Sequence, residues 1–220
     1  VNAHSFEMAT EEIKQMGFTT ANVQLAEATI KSMQKVFEKS PKINSLFNAI
    51  LSSKGSYAFQ HSQLTSIICS QIVENSKWGS EVQKEKLSFI AFFHDISLAE
   101  KPDLMRIHTE KELTNAALSE QDKALVLEHA LESAKMIQSF PQLPMGADII
   151  IKQHHGSLDG RGFVTNFSSQ LSPLAQVFLV AEDFSRIVIE KKESGDKLVV
   201  KDILEDMLNL YDKEALRKVV

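Results

Sequence analysis

Apolar residues recur at three- and four-residue intervals along most of the chain, as in Leu25, Ile30, Met33 and Phe37. That spacing puts them on one face of a helix, whereas the strict alternation of a half-buried strand is nearly absent. The pattern predicts an all-α protein. Element ends are marked by Gly17, Ser40-Pro41, Gly55, the turn NSKWGS at 75–80, Ser119 with Asp122 as a capping pair, Pro141, Pro144 and Ser172-Pro173. These stops divide the chain into roughly nine helices. Residues 1–50 hold no ligand-type histidine except His4 and are expected to be a helical lead-in, which places the chemistry in 51–220.

Composition narrows the class. A chain of 220 residues with 43% hydrophobic and 24% charged content has enough apolar surface for a large core without a covalent staple. Its longest apolar stretch, FIAFF at 89–93, is too short to span a bilayer. A net charge of −5, with both signs interspersed, argues against a basic face for a nucleic acid duplex, although local charges or metals suffice for a small anion. The single cysteine, Cys69 in SIICSQI, has no internal disulfide partner; it reads as core filler in a reducing, cytoplasmic setting. The opening VNAHSF has neither Met nor a leader pattern, so the chain reads as a piece or a processed product whose upstream region is expected to meet protein partners.

The remaining polar candidates form a series: His61, His94-Asp95, His129, His154-His155 and Glu182-Asp183. Successive members are about one long helix plus a connection apart, so neighbouring helices of a bundle would each present a ligand or pair to a shared interior. SFIAFFHDI and ADIIIKQHH put two of the pairs directly after apolar runs, which favours an inward orientation. Alone, each element has an ordinary reading: a His-Asp dipeptide at a capped helix end, or a hydrogen-bonded core histidine. It is the even series that favours metal. Imidazole and carboxylate without thiolate suit iron or manganese, with zinc as a further choice. Five histidines and two carboxylates exceed what one ion accepts, so two ions bridged by a carboxylate are expected. His4 and His108 fall outside the series and read as surface or capping residues.

The series resembles the HD superfamily of metal-dependent phosphohydrolases, and more closely its HD-GYP branch, whose members hydrolyse the bacterial messenger cyclic di-GMP. The resemblance covers about 60–190 and is carried by His61, His94-Asp95, His129 and HHGSLDGRGFV from His154 to Val164. It implies an HD-domain helical bundle and a binuclear transition-metal centre, iron first. The ligands would be His61, His94, Asp95, His129, His154, His155 and a carboxylate from AQVFLVAEDF. Glu182 is in the family register there, while Asp183 is of the family's residue type. The resemblance also implies Asp95 as the catalytic carboxylate. Asp159, Gly160, Arg161, Gly162 and Phe163 would form a wall for cyclic di-GMP or a related nucleotide, with Asp159 able to brace a histidine or simply to make an Asp-Gly turn.

Departures from the branch bear on turnover. The family lysine is Leu98, the glutamate after the histidine pair is Gly156, and GYP is Gly162-Phe163-Val164. Tyr57 stands where some members carry a glutamate that helps hold a third ion, which implies two ions here. Weak turnover follows from a missing cation near the phosphate. The alternatives are a non-catalytic module that binds a cyclic dinucleotide or a protein, another HD-type nucleotide phosphohydrolase, or a di-iron oxygenase.

Overall fold

Several helix starts coincide with side chains that accept from the first free backbone N–H groups. Ser56 caps the helix Tyr57–Glu74, Thr109 caps Glu110–Asn115, Ser119 caps Glu120–Ile137, and Ser172 caps Pro173–Glu193, where proline takes the first turn. Glycine supplies the reversals that other residues resist: Gly17 at φ 71° separates helices Ala3–Met16 and Thr20–Glu38, and Gly146 at φ 75° opens Ala147–Lys152. The remaining helices are Glu81–Phe93, Val200–Leu210 and Glu214–Arg217, with short 3-10 turns at Ile96–Leu98 and Pro102–Arg106. The computed structural model describes residues 3–38, 47, 50–164, 167–211 and 214–220; the expected boundary at Ser40-Pro41 lies outside them. Among the described residues there is no strand, and the protein is the all-α bundle that the periodicity predicts. No described helix is long and apolar enough to cross a membrane.

The helix Tyr57–Glu74 occupies the middle and packs against both Glu81–Phe93 and Pro173–Glu193. Its sequence explains how it tolerates neighbours on several sides. Ser62, Thr65, Ser66 and Ser70 are buried along it, and small hydroxyl residues let backbones approach. Ser66 donates to Ser88 of the neighbouring helix at 2.9 Å, and Ser70 returns its proton to the Ser66 carbonyl. Burial without such a partner costs about 1–3 kcal/mol per hydroxyl, and Thr65 Oγ1 is buried without one.

The two N-terminal helices belong to the same core. Phe6 meets Phe59 and Phe92 edge-on at 5.9 and 5.0 Å, and Phe18 reaches Phe93 and Phe140. Such edge contacts match ring faces to ring edges and add to burial. This aromatic block lies beneath the end of Glu81–Phe93 and fixes where His94 emerges. Phe178 on Pro173–Glu193 continues it, with its ring 5.3 Å from His94 and 6.4 Å from His154. The polar cluster therefore has an apolar floor.

Candidate metal centre

Five elements converge on one buried cluster. His61 comes from Tyr57–Glu74, His94-Asp95 from the end of Glu81–Phe93, and His129 from Glu120–Ile137; His154-His155 follow Ala147–Lys152, and Glu182 comes from Pro173–Glu193. His61, His94, His129, His154 and Glu182 are at most 4% exposed. Asp95 lies between two sets of ligand-type atoms. Its Oδ2 is 3.2 Å from His94 Nε2, and its Oδ1 is 3.4 Å from His129 Nε2 and 3.7 Å from His154 Nε2. On one side His129, His154 and His155 gather within ligand reach of one another; on the other, His61, His94 and Glu182 do.

Local backbone geometry decides which nitrogen each ring offers. The Nδ1 atoms of His94, His129 and His154 face the carbonyl oxygens of Ala91, Val126 and Ile151, each three residues back. A carbonyl only accepts, so each Nδ1 carries the proton and each Nε2 presents a lone pair to the interior. His129 Nε2 and His154 Nε2 then lie 3.1 Å apart, lone pair toward lone pair, and His155 Nε2 is 2.9 Å from His129 Nε2. His94 Nε2 faces a carboxylate oxygen and has no hydrogen-bond partner, and both nitrogens of His61 are buried without one.

Acceptors crowded in this way repel unless a proton or a cation lies among them. A second proton is disfavoured on His61, His129, His154 and His155. Burial pushes His61 down to about 3, helped by His94. Burial also lowers His129, and it lowers His154 and His155 further because imidazoles crowd together. Burial opposes ionisation of Asp95, and positive charge shared with the facing Nε2 atoms of His94, His129 and His154 would outweigh it and hold the carboxyl well below its ordinary range. Glu182 is raised by burial and then by Asp95 and Asp183. Two nitrogens bound to one ion at about 2.0–2.1 Å would be separated by roughly 3 Å. The donor set, its spacing and the unpartnered nitrogens thus fit transition-metal ions.

The structure places Asp183, Asp159 and His108 in three different settings. Asp183, the alternative to Glu182, accepts from Tyr211 at 2.6 Å and lies 3.7 Å from Arg186, away from the clusters that include Glu182. Asp159 is exposed and accepts from Ser157 and from the Arg161 N–H, which makes it a turn residue with no histidine among its hydrogen-bond partners. His108 corrects the surface reading. Its side chain is 5% exposed, 3.4 Å from Glu182, and in hydrogen-bond contact with Tyr57. The capping reading describes only its backbone, whose N–H donates to Glu112. Thr109 and Glu112 form the cap beside it, and that contact says nothing about where the imidazole turns.

The loop after the histidine pair is pinned to the His129 helix. Gly162 N–H donates to the Leu127 carbonyl at 2.7 Å, and the Leu131 N–H donates to the Gly160 carbonyl at 3.2 Å. Gly160 has φ 78°, and a Cβ there would meet the Leu131 backbone at 3.2 Å. Phe163 is thereby placed with its ring 4.9 Å from His155, while Arg161 points outward toward Glu128 at 3.8 Å. Gly156 has φ 80° and would drive a Cβ to 2.5 Å from Phe167, so a glutamate there would strain this backbone. Leu98 is 3% exposed and packs with Leu104, Met105, Leu113 and Val126.

Fold and cluster together define an all-α domain built around a buried histidine and carboxylate cluster able to hold metal. The model of the HD domain family matches residues 45–214, and the chain belongs to that family. No curated protein and no solved structure matches it.

Proposed function

We propose that this chain is a metal-dependent phosphodiesterase acting on cyclic di-GMP or a related nucleotide, with iron as the metal and manganese or zinc as alternatives. The observation that carries the reading is the acceptor-only cluster around Asp95, whose two oxygens face separate histidine sets. HD-domain membership supports phosphohydrolysis as the reaction class. Two bound ions would supply Lewis acidity, lowering the pKa of water and offsetting charge on a phosphoryl group. Asp95 would hold both positions. His129, His154 and His155 would serve one ion, and His61, His94 and Glu182 the other. Phe163 would form an apolar wall beside His155 for a base or sugar.

Slow turnover is part of this proposal. Leu98 fills an apolar cluster where the branch has a cation, Lys101 is paired with Asp122, and Arg161 faces Glu128. The same observations favour a second reading, a module that binds the nucleotide without cleaving it. Elemental analysis of chelator-free protein followed by chromatography of a cyclic di-GMP incubation tests both. Metal with product supports the enzyme, metal with binding and no product supports the module, and a chain that stays metal-free after reconstitution with iron, manganese and zinc sinks both.

A further inference from the structure

We propose that Tyr57 and His108 form a relay that orients Glu182 and thereby sets the affinity of the His61, His94 and Glu182 position for its ion. The inference rests on reading that cluster as a metal centre. His108 is placed from both ends: its backbone N–H donates to Glu112 at 2.8 Å, and its Nε2 meets the Tyr57 hydroxyl at 2.8 Å. Its Nδ1 then faces Glu182 Oε1 at 3.4 Å, with both side chains at most 5% exposed. Tyr57 is itself immobilised. One face of its ring stacks on His61 at 5.4 Å and 8°, and the Arg106 guanidinium lies 4.3 Å from the ring centroid.

Hydrogen-bond bookkeeping fixes the direction of this chain of contacts. A phenol O–H donating to Nε2 leaves the single proton of neutral His108 on Nδ1, 3.4 Å from a Glu182 carboxylate oxygen. The opposite tautomer would turn a lone pair toward Glu182 and leave the phenol proton seeking another acceptor. Because this proton occupies Nδ1, His108 acts on Glu182 as a positioning residue. The rival arrangement is a third ion among His108, His155 and Glu182, which are also within ligand reach of one another. It would require the His155 ring to serve through Nδ1 while its Nε2 lies 2.9 Å from His129.

The first test is nitrogen-15 NMR of the His108 ring in chelator-treated protein, where the Nδ1–H tautomer is expected and the Nε2–H tautomer overturns the relay. The second is a chelator competition on metal-loaded wild type, Tyr57→Phe, His108→Asn and His108→Leu, with melting curves to verify folding. His108→Leu should weaken one ion by roughly 10–100-fold and spare the other, the range found for lost outer partners of metal ligands. His108→Asn, whose amide can donate from near the Nδ1 position, should recover most of that loss; Tyr57→Phe should show a smaller weakening of the same ion. Equal behaviour of Asn and Leu, equal weakening of both ions, or loss of a third ion on His108 substitution would each overturn the relay while leaving the metal reading intact. Wild type that takes up no ion overturns both.

Discussion

The two sides of Asp95 are built by different means. On one side, His129 and His154 are aimed by carbonyls three residues back in their own chain segments. On the other, only His94 has that local brace; His61 has neither nitrogen partnered, and Glu182 depends on side chains from distant segments. A backbone brace comes with the local helical turn, whereas a side-chain brace exists only once several elements have assembled. The histidine side should therefore hold its ion with little help from its surroundings, and the His61 side should be the one that substitutions nearby can tune.

The largest effect expected is from Asp95, the residue common to both sides. Asp95→Ala should empty both positions, because it removes the oxygens that face His94 on one side and His129 and His154 on the other. Elemental analysis showing one full ion in that variant would mean that the two sides are independent. Single substitutions separate them: His154→Ala should lose the histidine-side ion and His61→Ala the other, each leaving about one ion per chain. Loss of both ions from either variant would erase the contrast between the sides.

Much of this centre was legible because helix periodicity and ligand spacing are both local properties. His94-Asp95 ends an apolar helix, and His154-His155 ends another; such positions can be read from the sequence before any tertiary contact is known. What stayed hidden depended on tertiary direction. Adjacent Glu182 and Asp183 are about 100° apart around one helix, so composition could not choose which faced the cluster. His108 lies between a 3-10 turn and a capping box, where no periodicity exists to assign it a face. Leu98 and Gly156 were visible as departures, but their apolar packing and positive φ were not.

Acid should act on the whole cluster in the metal-free protein. His61 has a folded pKa of about 3 against an ordinary value of 6.5, so between those values the unfolded chain binds more protons than the folded one. Stability is then fully present above 6.5 and falls as pH drops toward 3, in the same direction as for Asp95, whose carboxyl is also depressed. Glu182, whose pKa is raised, opposes this trend by stabilising the fold when protonated. Denaturant midpoints measured across this range should decline on acidification, and His61→Ala should flatten the decline. An unchanged slope in that variant would show that His61 is not buried neutral.

The smallest effect on metal content should come from Asp183, and it sharpens the comparison at its closest point. Asp183 adjoins Glu182 in sequence but is engaged by the Tyr211 hydroxyl at 2.6 Å and faces Arg186 at 3.7 Å. Asp183→Asn keeps an acceptor for Tyr211 but removes the charge opposite Arg186, which also reaches Glu190 at 3.0 Å and is only 13% exposed. Hydrogen bonds to charged groups contribute roughly 1.5–3 kcal/mol, and because Tyr211 keeps an acceptor and Arg186 keeps Glu190 the loss should not exceed the lower figure. The variant should melt earlier yet retain both ions, whereas Glu182→Gln should lose the ion on the His61 side with its fold intact. Calorimetry paired with elemental analysis reads both quantities on one preparation. If Asp183→Asn instead loses metal while Glu182→Gln keeps it, the helix Pro173–Glu193 presents its ligand from the other register, and the orientation assigned to Glu182 is wrong.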